Sequence, residues 1–363
     1  MKAPIRVLVV EDSLTVRRHI CEIVAADPEL ELVGEAADGK RAVELCESLR
    51  PDAITLDMCL PIMNGLAATE YIMASFPTPI LIVSASTNRG ELFRTYDALA
   101  AGAADVLEKP AADAVDARWA RELCSAVKRV SRIRVITHPR ARLAGFVPAT
   151  ALRVAEPLPG PAPAAPRLAA CRLVALGTST GGPGALVDVL RRMPGPLRVP
   201  VLIVLHIGEA FAGAFADWLQ SQTGHRVGLA QDGERVGEIG GRVVLAPPGR
   251  HLRVSEGKLV LTLEAERHSC RPSIDVLFES LADEYRAGVT AALLTGMGRD
   301  GAAGLLAIRR AGGHTLAQDE ATSIVYGMPR EAVRLGAAER VLPIGEIGVA
   351  LALELAQSER NRR

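Results

Sequence analysis

The sequence predicts an α/β protein with two mostly parallel sheets, one in each half of the chain. Three observations point there. Short apolar runs such as "IRVLVV" and "RLVALG" alternate with segments whose apolar residues recur at helical spacing. Hydrophobic residues make up 49% of the 363 and aromatics only 3%, the aliphatic balance of strands buried on both faces. The stretch 147–166 carries six prolines in twenty residues and no period, so it cannot bury much and divides the chain in two.

The first half opens with strand 5–10 and continues through a helix over 13–26, strand 30–36 and helix 39–49. Strand 53–57 ("AITLD"), a helix from about Gly65, strand 79–85, a helix near 89–101, strand 104–110 and a last helix through about Val130 complete it. Five strands with crossover helices make a doubly wound parallel sheet of flavodoxin-like type. This domain is placed at 1–131, a Pro/Ala-rich linker at 132–168 and a second domain at 169–363. The second domain begins with strand 172–177, helix 184–192, strand 200–206 and helix 211–221. Then 232–266, dense in Gly and Pro with period-two apolar pairs, predicts a β-hairpin excursion. Helix 274–286, strand 290–296, helix 301–311, strand 314–318 and helices to the end restore the alternation, giving a doubly wound, mostly parallel α/β domain.

Bulk properties exclude several classes. Net charge is zero and no basic recognition helix stands out, so a nucleic-acid partner is not expected. The longest apolar runs, such as "VLIVL", are far too short to span a bilayer, so no membrane insertion is expected. The N-terminus reaches the acidic pair Glu11–Asp12 within a dozen residues and does not read as a secretory signal. The six cysteines are scattered without CxxC spacing, as in a reduced cytoplasmic protein.

In a parallel sheet, ligands gather beyond the carboxyl ends of the strands. Glu11 and Asp12 follow the first strand and Asp57 ends the third. Three carboxylates that close raise one another's pKa unless a hard cation offsets them, and an all-oxygen set suits Mg2+. Ser84 ends the fourth strand and Lys109 follows the fifth. Metal, carboxylate, hydroxyl and lysine around one point suit phosphoryl transfer onto Asp57. Through "VVEDS", "LDMCLPIMNGL", "IVSAST" and "EKP" the segment resembles the receiver domain of two-component response regulators. The resemblance implies Asp57 as phospho-acceptor, Glu11, Asp12 and Asp57 as Mg2+ ligands, Ser84 and Lys109 as the switch pair, and a histidine kinase as phosphodonor. Glu11 stands for a frequent Asp, and Asn64 where Asp often precedes the Gly; neither change removes a required group.

"LGTSTGG" (176–182) poses a sharper question: phosphate cradle or nucleophile turn. It has no Lys-Ser/Thr pair, and the dinucleotide pattern fails because no glycine arrives at the sixth place. Gly177 to Gly181 does satisfy G-x-S-x-G between a strand and a helix, which leaves Ser179 as nucleophile or as a serine helix cap. A serine nucleophile needs a base and an orienting acid. His206 closes the next strand and emerges on the same sheet edge, while His19, His138, His225 and His314 lie elsewhere. His251 and His268, near the hairpin, stay open by position. Asp300, in "LLTGMGRDGAAG", leaves another strand at that edge and heads a helix, as triad acid or as plain cap. Backbone N–H groups of Thr180, Gly181 and Gly182, at a helix N-terminus, are the candidate oxyanion donors.

Over roughly 170–357 the second half resembles the catalytic domain of chemotaxis protein-glutamate methylesterases, the CheB family. The likeness is carried by "LGTSTGGPGAL", "FAGAFADWL", "LAPPGRHL", "RPSIDVLFESLA" and "LTGMGRDGAAGLLAIRRAGGHTLAQDEATSIVYGMPREA". A receiver ahead of it is that family's architecture. The resemblance implies a cytoplasmic, monomeric hydrolase that removes γ-glutamyl methyl esters from chemoreceptor cytoplasmic helices and deamidates receptor glutamines. It implies no cofactor for the esterase step, and a receiver that covers the catalytic mouth until Asp57 is phosphorylated. The usual Gln-His-Met-Pro reads Leu205-His206-Ile207-Gly208 here, so the flanks of the histidine differ. Arg271, Pro272 and Ser273 belong to a family motif and are read as a substrate groove or as loop-shaping residues, with Met297 as a further contact or loop residue. The alternative of another class is a non-enzymatic response regulator whose second domain binds a partner.

Overall fold

The structure is a computed structural model describing residues 3–85, 88–110, 117–133, 135, 171–193 and 195–361. Apart from 132, 133 and 135, the expected linker at 132–168 lies outside the described residues. The chain divides into two compact units, Met1–Thr150 and Ala151–Arg363.

In the first unit, β1 (Ile5–Val10), β2 (Leu30–Ala36), β3 (Ala53–Leu56), β4 (Ile80–Ser84) and β5 (Asp105–Glu108) form one parallel sheet in the order β2-β1-β3-β4-β5. Helices α1 (Leu14–Ala26), α2 (Gly39–Leu49), α3 (Gly65–Ser75), α4 (Arg89–Ala100) and α5 (Ala117–Val130) supply the crossovers and the outer layers. The strands are buried because both faces are covered; Val7, Leu8, Ile54, Leu56, Ile80 and Ile82 are wholly inaccessible. Side-chain caps fix where helices begin: Asp38 accepts from the Arg41 N–H, Asn64 from Ala67 and Asn88 from Glu91. Asn64 thus has a local task at the start of α3.

The second unit is built on seven parallel strands in the order β14-β13-β12-β6-β7-β9-β8. In chain order they are β6 (Leu173–Thr178), β7 (Val201–Leu205), β8 (Val227–Leu229), β9 (Val243–Leu245), β12 (Val289–Leu293), β13 (His314–Gln318) and β14 (Arg340–Leu342). The helices are α6 (Gly182–Leu190), α7 (Glu209–Ala212), α8 (Phe215–Thr223), α9 (Ile274–Tyr285), α10 (Ala302–Arg310), α11 (Met328–Arg334) and α12 (Ile344–Asn361). From β6 the chain builds outward through β7 on one side and later returns through β12 on the other, so β6 marks the switch of direction.

Two details differ from the sequence reading. The helix expected at 211–221 is two pieces, α7 and α8. The excursion expected at 232–266 is a hairpin only in part: β10 (His251–Ser255) and β11 (Lys258–Thr262) pair antiparallel, whereas β9 joins the main sheet between β7 and β8. Three buried residues amid Gly and Pro carry no readable period, so β9 is set by burial on the sheet rather than by local pattern.

Candidate active site

Ser179 lies one residue past β6 and His206 one past β7. The register pairs Thr178 with Leu205, so Ser179 and His206 form the next rung, and the His206 N–H donates to Thr178 O at 3.1 Å. Neighbouring strands run about 4.8 Å apart, which puts the two backbones side by side. The turn holding Ser179 is pinned to the loop after β12. The Ser179 N–H donates to Thr295 O at 3.0 Å, Thr178 Oγ1 donates to the same carbonyl at 2.9 Å, and Thr295 Oγ1 donates to Thr180 O at 2.9 Å. The left-handed residue of this turn is Gly181, φ 79°, where a Cβ would come within 2.7 Å of Ile324. Gly177 has another reason to be glycine: its Cβ would lie 2.3 Å from Ile274 Cγ2, so β6 and the first turn of α9 touch there.

Asp300 enters from the β12–α10 loop and is buried. Its Oδ2 stands 3.0 Å from His206 Nε2 and accepts the Ile274 N–H at 2.7 Å. Its Oδ1 accepts Ser273 Oγ at 2.7 Å and the Asp275 N–H at 3.1 Å. The carboxylate therefore rests on the N-terminus of the twelve-residue helix α9, where free N–H groups and the helix dipole favour negative charge. Burial opposes ionisation of Asp300, but the His206 imidazole, the Ser273 hydroxyl and the Ile274 N–H outweigh it and hold the carboxyl below its ordinary value. Burial likewise opposes the His206 cation; the hydrogen bond to Asp300 and the neighbouring Cys270 outweigh it and raise the imidazole from 6.5 to about 9.

Because Asp300 takes Nε2, the nitrogen left for chemistry is Nδ1, which faces Cys270 Sγ at 3.7 Å. This is the reverse of the chymotrypsin arrangement, where the acid holds Nδ1. Ser179 is half-buried, and among the described residues no hydrogen bond engages its Oγ, so no Ser179–His206 hydrogen bond is formed in this structure.

The remaining sequence candidates fare differently. Among the described residues no hydrogen bond takes up the N–H groups of Thr180 and Gly181. Gly182 is a correction: its N–H donates to Ser179 O at 2.7 Å, closing the turn, so it is not a free oxyanion donor. Pro272 and Ser273 are also corrections, because both are buried and cannot line a groove; Ser273 caps α9 and holds Asp300. Arg271 is half-buried and donates to Glu264 O at 3.1 Å, and Met297 is half-exposed. His251 is spent on Ala265 O and the Ser273 N–H; His225 binds Leu190 O; His314 sits beside Glu339. His268 Nε2 faces the buried Asp275 at 3.1 Å, while its Nδ1 accepts from Arg299. Thr295 was missing from the sequence reading although it stands in the "LLTGMG" run; its role comes from contacts with Thr178 and Thr180 more than a hundred positions away.

In the first unit the acids meet as expected from their strand ends. One oxygen each of Glu11, Asp12 and Asp57 lies within 4.8 Å of the others. Lys109 Nζ stands 2.8 Å from Glu11 Oε2 and 3.0 Å from Asp57 Oδ1, and Asp57 Oδ1 accepts the Met58 N–H at 2.8 Å. Ser84 is buried at the end of β4, and its carbonyl accepts the Lys109 N–H at 3.0 Å. Burial, reinforced by the charge of Asp57, pushes Glu11 up to about 7 despite Lys109. Crowded oxygen donors, one of them held near neutrality, fit a small divalent cation.

Residues 174–351 match the family model described as CheB methylesterase, and residues 7–117 that of the response regulator receiver domain. The protein-glutamate methylesterase/protein-glutamine glutaminase of Nitrosospira multiformis is 41% identical over 351 residues, 96% of each chain. Protein-glutamate methylesterase/protein-glutamine glutaminase 2 of Pseudomonas aeruginosa is 43% identical over 367 residues, 99% of each. The crystal structure of the Thermotoga maritima CheB methylesterase catalytic domain is 32% identical, with a TM-score of 0.48, and covers 51% of this chain and 98% of that one. With relatives of this identity along nearly the whole length, the chain belongs to the CheB methylesterase family and carries a response regulator receiver domain ahead of its methylesterase domain.

Proposed function

We propose that the chain hydrolyses γ-glutamyl methyl esters on chemoreceptor cytoplasmic helices, and deamidates receptor glutamines at the same site, with Ser179 as nucleophile. The observation that carries this reading is the Asp300–His206 pair at 3.0 Å, set on the strand next to Ser179. His206 Nδ1 takes the Ser179 proton as Oγ attacks the ester carbonyl, and Asp300 fixes the tautomer through Nε2 and stabilises the imidazolium. The N–H groups of Thr180 and Gly181 face the developing oxyanion. Methanol leaves with the proton from His206 (ammonia for a glutamine), and water releases the glutamate through the same base. No cofactor enters this step.

The receiver is the control element in a cytoplasmic protein that acts as a monomer. Glu11, Asp12 and Asp57 would hold Mg2+, which would supply charge compensation for a phosphoryl group; Asp57 accepts that group from a histidine kinase, and Ser84 and Lys109 respond to it. The domain limits 1–131 and 169–363, with the linker between, belong to this same reading. Full-length protein given methyl-labelled receptor, with and without a small phosphodonor and Mg2+, tests both parts. Release of label is expected to rise with the phosphodonor, and Asp57→Asn is expected to remove that increment. Ser179→Ala is expected to lower the rate at least about a thousandfold; near wild-type release by that variant would end the esterase reading.

A further inference from the structure

Beside the His206 imidazole stands a side chain that ester hydrolysis leaves without a task. Cys270 is half-buried, and its Sγ lies 3.7 Å from His206 Nδ1 and donates to His268 O at 3.4 Å. One donor atom each of His206, Cys270 and Asp300 lies within 4.8 Å of the other two. Tetrahedral zinc, with bonds of about 2.3 Å to sulfur and 2.0 Å to nitrogen, holds a thiolate and an imidazole about 3.5 Å apart. The observed span is therefore one that an ion bridges with side-chain adjustment alone. Asp300 adds the second element. By occupying Nε2 at 3.0 Å it turns the Nδ1 lone pair toward Cys270, and a carboxylate behind the far nitrogen is the usual support of a metal-bound histidine.

We propose that His206 Nδ1 and Cys270 Sγ form a binding site for a thiophilic divalent cation of the Zn2+ class, and that its occupancy reversibly blocks the esterase. On binding, the Cys270 thiol releases its proton to solvent, Nδ1 gives its lone pair (and any proton it carried) and water completes the coordination. No electron changes hands. The ion then sits on the nitrogen that must accept the Ser179 proton. Mg2+ does not compete, since it prefers the oxygen donors gathered by Glu11, Asp12 and Asp57. The inhibition rests on the esterase reading above; the binding itself does not.

The test uses reduced full-length protein in excess Mg2+, which fills the receiver carboxylates. It is titrated with Co2+ while cobalt–thiolate charge-transfer absorption is followed, and Zn2+ is then added in competition. Wild type is expected to show one such site, and Cys270→Ser and His206→Gln are each expected to weaken it at least about tenfold. Zn2+ is expected to stop methyl release by wild type, with chelator restoring it, while the residual rate of Cys270→Ser resists Zn2+. No cobalt–thiolate band in wild type, or an equal band in Cys270→Ser, overturns the proposal. Because the absorbance needs no turnover, a protein that binds the ion but releases no methyl label removes the esterase reading and keeps the site. An active enzyme without the band does the reverse.

Discussion

Burial works against the His206 cation, the Asp300 carboxylate and the neighbouring Cys270 work for it, and together they win, raising the imidazole to about 9. At neutral pH roughly one imidazole in a hundred is then free to accept a proton. The basic form grows as pH rises, so kcat/KM for ester hydrolysis is expected to climb roughly tenfold per pH unit from about pH 7 and to level off near 9. Asp300→Asn removes the charge that raises His206, so the inflection is expected at lower pH, on a plateau lowered by about 10³- to 10⁴-fold. A pH–rate profile of both proteins checks this, and a wild-type profile flat above pH 7 contradicts it. Ser273→Ala removes the hydroxyl that donates to Asp300 Oδ1 in a fully buried place. It is expected to cost about 1–3 kcal/mol of stability and to lower kcat with KM unchanged, read by thermal melting and steady-state kinetics. Ser179, His206 and Asp300 are legible in the sequence because each follows a strand of a parallel sheet. Ser273 is not, because "RPS" before a helix reads equally as groove or as loop-shaping residues, and its acceptor lies 27 positions away.

At the scale of elements, the site depends on how closely β6 approaches α9. Ser179 rides on β6, while the N–H groups that hold Asp300 belong to the first turn of α9, and Gly177 is where the two meet. Gly177→Ala places a methyl within 2.3 Å of Ile274 Cγ2 and must push α9, and Asp300 with it, away from the serine turn. The expected loss is about 1–3 kcal/mol of stability together with a fall in kcat. Shortening the opposing side chain by Ile274→Ala in the same protein is expected to return part of both, and a double-mutant cycle with no coupling would refute the close contact as the cause. The elements themselves were readable wherever an apolar run of five or more residues met a helical period, as in β1, β7 and α9. β9 escaped because three residues hold no period, and the α7–α8 break because Gly208, Gly213 and two short turns leave the pattern ambiguous.

At the scale of the whole chain, each unit has its own parallel sheet and its own buried strands, and the division between them was visible as a run of prolines. Two such units are expected to melt as two transitions, of which only the receiver's responds to Mg2+. Glu11 gives the sign of that response. Burial and the Asp57 charge raise its pKa from 4.5 to about 7, so between those values the folded receiver binds more protons than the unfolded chain and loses stability as pH rises. Mg2+ binds the ionised carboxylates and so stabilises most where that loss is complete. Differential scanning calorimetry is expected to show the receiver transition rising by several degrees with Mg2+ at about pH 7.5 and much less at about pH 5.5, the methylesterase transition staying put at both. Glu11→Gln is expected to flatten the pH dependence of the metal-free receiver, since the group that titrates over this window is gone. An equal Mg2+ shift at both pH values would place the ion away from Glu11, and a shift of the other transition would mean that the two units do not unfold independently.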